Sequence, residues 1–162
     1  LEQALRQAIS NLVAMRETEG SNIYGDFIKR ADLIAEKLAV IEERSPQVVE
    51  EYQIRLSDRI NELLAKHNQV IEPERLLQEV AIFADRTSIT EEIVRLKSHI
   101  KQFKLIIDAD QPVGRKLDFL IQEFNREANT IASKANDYTL AQVVVEIKAE
   151  IEKIREQIQN IE

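Results

Sequence analysis

The side chains with the most potential for chemistry lie between residues 113 and 135. The apolar residues of this stretch recur at helical spacing, so an advance of ~100° per residue places its polar side chains on two flanks of a helix. Because Asn, Asp, Ser and Thr lower helix propensity, their abundance indicates either a functional surface or contacts with neighbouring helices or subunits. One flank carries Phe119, Glu123, Glu127, Thr130 and Lys134, the other carries Asp118, Gln122, Asn125, Asn129 and Ser133, and Arg126 points directly away from the apolar stripe.

Glu123 and Glu127 are candidate metal ligands. Two carboxylates one helical turn apart repel each other, but the pair becomes favourable when a divalent cation binds between them. Carboxylate oxygens suit magnesium or manganese, and Asp118 is a third candidate ligand. Because Asp118 lies on the other flank, a shared ion requires ligands from two helices or from two subunits. Neutralisation of the pair by Arg126 or Lys134 is the alternative interpretation.

A basic helix face lies between residues 89 and 108. Lys97, Lys101 and Lys104 share one flank of this predicted helix, and no acidic residue lies between positions 93 and 107. In an acidic protein such a face is a candidate phosphate track. Favourable charge near the carboxyl end of a helix explains it equally well.

His99 is the candidate general acid or base, because imidazole exchanges protons near neutral pH. It shares the other flank of the same helix with Glu92 and Arg95. A hydrogen-bonded surface histidine is the plainer alternative. The second histidine, His67, falls in a polar loop and is assigned no role.

Composition excludes several classes of protein. The chain has 22 basic and 29 acidic residues, a net charge of −7 and no cysteine, so disulfides, thiolate zinc sites and cysteine nucleophiles are ruled out. Three Gly and three Pro argue against an all-β fold and against a glycine-rich nucleotide loop. No apolar run approaches the ~20 residues of a membrane span.

Hydrophobic spacing predicts an all-α protein of long antiparallel helices that form an elongated, coiled-coil-like hairpin or bundle. Pro46 and Pro73 suit first-turn helix positions, and Ser88 with Glu91 forms a capping-box pattern. We predict a long helical hairpin over 1–71, acting as an oligomerisation arm, and a helical bundle over 72–162. The clearest repeat alternates steps of four and three residues through Leu140, Val144, Ile147, Ile151, Ile154, Ile158 and Ile161.

The first segment is too long for the shorter central helices to cover, which predicts homo-oligomerisation through long-helix contacts. Its apolar stripe comprises Leu5, Leu12, Ile23, Phe27, Ile34, Leu38 and Ile41. A monomeric bundle with frayed ends is the alternative. The chain also begins with Leu1 inside a predicted helix, so we expect it to be a piece of a longer protein.

Several stretches resemble the YicC/YloC family. They are residues 113–120, 122–134 and 154–162, together with 83–92, 94–99 and the pairs at 15–16 and 19–20. The resemblance implies a bacterial cytoplasmic endoribonuclease that is linked to stress and RNA turnover. It also implies a metal-dependent enzyme in at least some members, a hexamer, and an additional N-terminal α+β domain.

The resulting hypothesis is cleavage of RNA phosphodiester bonds with help from a manganese or magnesium ion. Asp118, Glu123 and Glu127 would hold the ion, and Glu123, Glu127 and His99 would take part in catalysis. The expected RNA contacts are Arg95, Lys97, Lys101, Lys104, Arg115, Lys116, Gln122, Asn125, Arg126, Asn129 and Lys134.

Three alternatives remain open at this point. In a rival mechanism, His99 drives attack by the ribose 2′-OH without a metal. In a second class of function, the chain is a structural and oligomerisation module, and the N-terminal domain binds and cuts RNA. A bare coiled-coil adaptor fits the composition but leaves the Asn- and Gln-rich helix flanks unexplained.

Overall fold

Five α-helices make up the computed structural model, which describes residues 2–65, 73–109, 112–159 and 161. These parts of the chain contain no strand, which confirms the predicted all-α class. No described helix has both the length and the apolar composition needed to cross a membrane. The helices are α1 (Glu2–Ala65), α2 (Pro73–Thr87), α3 (Thr90–Ile107), α4 (Gly114–Lys134) and α5 (Tyr138–Ile158).

Four of these helices share one hydrophobic core. The middle of α1 packs against α3 and α5, and α4 packs against the same two helices, so the four form a bundle. Each contributes a single apolar stripe, as the spacing predicts. The largest fully buried side chains include Phe27, Ile34, Leu96, Phe103, Leu117, Phe124, Ile131 and Ile147.

The core crosses the predicted domain boundary. Phe27 of α1 meets Phe103 of α3 edge to face, with ring centroids 5.5 Å apart, and Phe103 lies 5.9 Å from Phe124 of α4. The division at residue 71 remains a prediction, but residues on both sides of it bury their apolar stripes together. The short helix α2 packs on the later part of α1, where Tyr52 and Phe83 stack with centroids 3.7 Å apart.

The first long helix continues through Pro46, although the sequence predicts a break before that residue. α1 runs unbroken from Glu2 to Ala65, and Pro46 is exposed. Proline removes the hydrogen bond to the carbonyl four residues earlier and its ring crowds that carbonyl, but the helix is held on both sides by buried Ile41 and Val48. Tertiary packing therefore outweighs the local cost of proline.

The capping box predicted at Ser88 does not form. Helix α3 begins at Thr90, two residues later, and its N-cap Ile89 makes no side-chain capping hydrogen bond. Ile89 is instead buried in the core, so apolar burial sets the start of this helix.

The amino-terminal part of α1 projects from the bundle. Every residue from 2 to 22 is exposed, and we call this segment the α1 arm. At about 1.5 Å per residue it is roughly 30 Å long. Its exposed apolar residues are Leu5, Ile9, Leu12, Val13 and Met15.

Asp137 anchors the start of α5 to α1. Its Oδ1 accepts the backbone N–H of Leu140 at 2.9 Å as an N-cap, and its Oδ2 lies 2.8 Å from Nη2 of Arg44. The hydrogen bond from the Arg44 guanidinium is the main reason that the pKa of Asp137 is below its usual range. Arg44 also binds Glu51 of the same helix, so three side chains form one cluster between α1 and the start of α5.

We expect Asp137→Asn to lower the free energy of unfolding at pH 7 while retaining the cap, because Asn caps helices about as well as Asp. Because the pKa of Asp137 is lower in the folded than in the unfolded state, its charge stabilises the folded state fully only above the unfolded-state pKa of about 3.9. This stabilisation is lost as pH falls, so the difference in stability between wild type and Asp137→Asn should shrink below about pH 4. Asp137→Ala should lose about 1 kcal/mol more at pH 7 through the cap. Urea unfolding from pH 7 to pH 2 measures both effects.

Asp58→Asn serves as the control, because Asp58 is exposed on α1 far from this cluster. Identical pH profiles for wild type and Asp137→Asn would contradict the assigned role of the Arg44–Asp137 pair.

Candidate functional site

A carboxylate–histidine cluster lies in the groove between α3 and α4. His99 of α3 and Glu123 and Glu127 of α4 each offer a ligand atom, and these atoms all lie within 4.8 Å of one another. The spacing of four residues puts both glutamates on the side of α4 that faces α3. Two helices thus supply the three groups, but Asp118, for which a second helix or subunit was predicted to be needed, is not among them.

The cluster combines burial with incomplete charge compensation. Glu127 is only 3% exposed, and its nearest described cation is Arg95, whose Nη1 lies 3.8 Å from Oε1. Arg95 is also bound to Glu91, and Arg126 lies 3.4 Å from Glu123. A buried carboxylate beside a second carboxylate favours an additional positive charge in the groove.

The ring of His99 contributes an unsatisfied nitrogen. Its Nδ1 is buried without a hydrogen-bond partner in the part of the chain that the structure describes. The ring packs over Phe124 at a centroid distance of 6.4 Å. A neutral imidazole nitrogen that lacks a donor is a suitable metal ligand.

The donor chemistry of the cluster fits a divalent cation. Imidazole nitrogen suits first-row transition metals, whereas carboxylate oxygen suits magnesium, calcium and manganese. A set of one imidazole and two carboxylates therefore fits manganese better than magnesium. The same three side chains also suit proton transfer, because histidine and carboxylate side chains are common general acids and bases.

Asp118 is not part of this cluster. It is exposed on the opposite flank of α4, where its Oδ2 accepts a hydrogen bond of 3.0 Å from Gln122. Its predicted role as a ligand thus has no support from proximity to Glu123 or Glu127.

A buried ion pair lies beyond the cluster, where α3 begins and α4 ends. Glu92 is 5% exposed, and Lys134 donates a hydrogen bond of 2.7 Å to its Oε1, while Oε2 is buried without a described partner. Burial raises the pKa of Glu92, but the bond from Lys134 and nearby positive charge outweigh it, so the pKa is below the usual value. Lys134, a predicted RNA contact, is therefore already bound within the chain.

Two of the three lysines predicted to form a phosphate track hold α3 to α1. Nζ of Lys97 lies 2.5 Å from Glu42, and Nζ of Lys104 lies 2.5 Å from Asp32. Lys101 is exposed and has no acidic partner among the described residues. The structure thus separates the predicted track into two structural cations and one available cation.

The amide-rich flank of α4 faces α5. A groove of about 560 Å³ is lined by side chains of α4 and by Arg155 of α5. The sequence places Gln122, Asn125 and Asn129 on one flank of α4. It does not reveal Arg155, because the register between two helices is not visible in either one. The predicted RNA contacts that line this groove are Gln122, Asn125, Arg126 and Asn129.

Comparison with known proteins gives concordant matches. Residues 41–162 match the model of the family described as "Endoribonuclease YicC-like, C-terminal". The chain is 53% identical over 162 residues to "Probable endoribonuclease YicC" of Clostridioides difficile (strain 630), covering 100% of this chain and 55% of that protein. It is 37% identical over 159 residues to the protein of the same name in Haemophilus influenzae, covering 98% of this chain and 54% of that protein. The chain thus spans about half the length of the curated relatives it matches.

We expect Lys134→Ala to destabilise the fold by about 1–3 kcal/mol, because it leaves the buried carboxylate of Glu92 without its donor. The double variant Lys134→Ala with Glu92→Gln should be more stable than Lys134→Ala alone, since an amide is buried more easily than a charge. Denaturant unfolding of the two single variants and the double variant measures this coupling. Strictly additive effects would show that the pair makes no joint contribution.

Proposed function

This chain belongs to the YicC-like endoribonuclease family, and we propose that it is the C-terminal helical half of an enzyme that cuts RNA at internal phosphodiester bonds. The observation that carries the proposal is the meeting of His99, Glu123 and Glu127 in the α3–α4 groove. All three residues lie within the region that matches the family.

We propose that the cluster holds a divalent cation, with His99, Glu123 and Glu127 as ligands and manganese as the best fit to these donors. When bound, such a cation polarises a phosphoryl oxygen and lowers the pKa of a coordinated water. The carboxylates of the chain position the ion, and the packing of His99 over Phe124 fixes the direction of the imidazole. Asp118 has no part in this version of the site.

Exposed cations of α3 and α4 are the proposed contacts for the RNA backbone. Arg126 is exposed next to Glu123, and Lys101 is exposed on the flank of α3 that turns away from His99. Arg115 and Lys116, near the start of α4, have no acidic partner among the described residues. These four side chains are available to phosphates, whereas Lys97 and Lys104 act mainly as ion pairs to α1.

Side-chain amides supply the second part of the proposed RNA surface. Asn125 and Asn129 line the groove between α4 and α5, on the far side of Arg126 from the carboxylate cluster. Amides donate and accept hydrogen bonds, which suits ribose hydroxyls and the edges of unpaired bases.

The α1 arm is the proposed contact between copies of this chain. Its apolar residues are all exposed, and Leu5, Ile9 and Leu12 follow the steps of four and three that pair long helices. A homo-oligomer explains this exposure. The subunit count of six, the cytoplasmic location and the link to stress-related RNA turnover, all implied by the family resemblance, remain predictions.

We expect Glu127→Gln and Glu123→Gln, each made in the full-length protein, to reduce RNA cleavage at least about 100-fold, because each removes a charged ligand without changing its shape. Both variants should also weaken manganese binding. In electron paramagnetic resonance, the signal of free manganese falls when the ion binds, so more of this signal should remain with each variant than with wild type. Glu79→Gln is the matched control, since Glu79 is exposed on α2. Full activity in Glu127→Gln, with unchanged oligomer size, would end the metal-pair proposal.

Chelation distinguishes the metal mechanism from the His99-driven attack by the 2′-OH. Excess EDTA should abolish cleavage and leave the chain folded, because the bundle has a hydrophobic core of its own. Cleavage that persists in EDTA and is lost in His99→Ala would favour the metal-free mechanism instead.

The alternative is that this chain serves only assembly, and the exposed α1 arm is the observation that favours it. The 162-residue chain and the full-length protein should be compared on labelled RNA. We expect both to oligomerise and both to bind RNA. A chain that forms oligomers but neither binds nor cuts RNA, beside an active full-length protein, would establish the assembly role.

A further inference from the structure

We infer that a second groove, adjoining the carboxylate–histidine cluster, binds one nucleobase of the RNA and that Phe119 is its stacking surface. This inference rests on the proposed function and adds to it the residues that position the RNA strand beside the carboxylate–histidine cluster. We call this site the Phe119 groove. It is lined by His99, Gln102, Ile106, Arg115, Lys116 and Phe119.

The Phe119 groove is continuous with the cluster because the two share His99. Its volume of about 390 Å³ falls within the range of about 300–1,000 Å³ that is typical of ligand sites. A base bound in this groove would place the adjoining phosphate beside His99.

Phe119 has a different environment from the other phenylalanines. The chain has five Phe, of which Phe27, Phe103 and Phe124 are buried in the core and Phe83 stacks on Tyr52. Phe119 alone among them is 64% exposed, with its ring beside the groove. An exposed aromatic ring that is flanked by cations is the usual stacking surface for unpaired bases.

The order of side chains along α4 matches the order of groups along a nucleic-acid strand. Glu127, Glu123, Phe119 and Arg115 are spaced four residues apart, so they follow one ridge of α4 that turns by ~40° per step, from buried Glu127 facing α3 to exposed Arg115. Successive members lie about one helical turn, roughly 6 Å, apart. The ridge therefore runs from two acidic ligands to an aromatic ring and then to a cation.

The opposite wall of the groove supplies a polar group for the base. Gln102 of α3 lines the groove close in sequence to His99, and it is exposed. Its amide can donate to and accept from a base edge while the ring of Phe119 contacts the base face. Arg115 and Lys116 lie at the end away from the carboxylates, where the next phosphate would be received.

The test is binding of a six-nucleotide, 2′-O-methylated RNA in EDTA, conditions in which neither proposed mechanism cuts. Fluorescence anisotropy is measured with wild-type full-length protein, Phe119→Ala, Phe119→Trp and the control Tyr138→Ala. Tyr138 is also an exposed aromatic residue, at 76%, but it lies on α5 outside the groove. We expect Phe119→Ala to weaken binding about 5- to 100-fold, and Phe119→Trp and Tyr138→Ala to bind within twofold of wild type.

An abasic scan separates stacking from a structural effect. Removing the base at one position of the oligonucleotide should weaken wild-type binding by a similar factor and should cause no further loss in Phe119→Ala. The inference would be overturned if Phe119→Ala bound RNA as tightly as wild type, or if the abasic site weakened binding equally in both proteins. It would also be overturned if Phe119→Ala changed the oligomer size and left the RNA affinity unchanged. Cleavage of ordinary RNA by wild type, measured in parallel, decides separately whether the proposed function itself stands.

Discussion

The burial of a single apolar stripe of α4 against α3 and α5 is the constraint on which the site depends. Leu117, Phe124 and Ile131 are fully buried, so the helix can rotate very little about its own axis. Its two polar flanks are thereby assigned to different neighbours, with carboxylates toward α3 and amides toward α5. A slip of one residue in this stripe would turn each flank by ~100° and separate Glu123 and Glu127 from His99.

The same packing gives the cations on the two sides of α3 different partners. On the α1 side of α3, Lys97 and Lys104 are bound to acidic residues of α1. On the α4 side, Arg95 is shared between Glu91 and buried Glu127. A chain of net charge −7 thereby keeps these cations in ion pairs, while Arg115 and Lys116 line the Phe119 groove without an acidic partner among the described residues.

Features that belong to a single helix could be predicted from the sequence. The heptad steps from Leu140 to Ile158 locate α5, and the opposite flanks of α4 follow from counting ~100° per residue. Features that depend on two helices could not be predicted, because the relative register of two helices comes from packing. These features are the proximity of His99 to Glu123 and Glu127, the burial of Glu92, and the position of Arg155 in the groove between α4 and α5. Predictions from local signals were wrong where burial had the larger effect. The capping box at Ser88 does not form, because α3 begins after buried Ile89, and Pro46 does not interrupt α1.

The exposed α1 arm has a thermodynamic consequence. The arm continues α1 beyond the bundle, where its exposed residues add little packing to support the helix and Gly20 lowers the helix propensity. A partner that covers the apolar residues of the arm would also stabilise its helical conformation. Part of the binding free energy would then offset the cost of ordering the arm. Assembly through the arm would then carry a large negative heat-capacity change and tighten or loosen steeply with temperature.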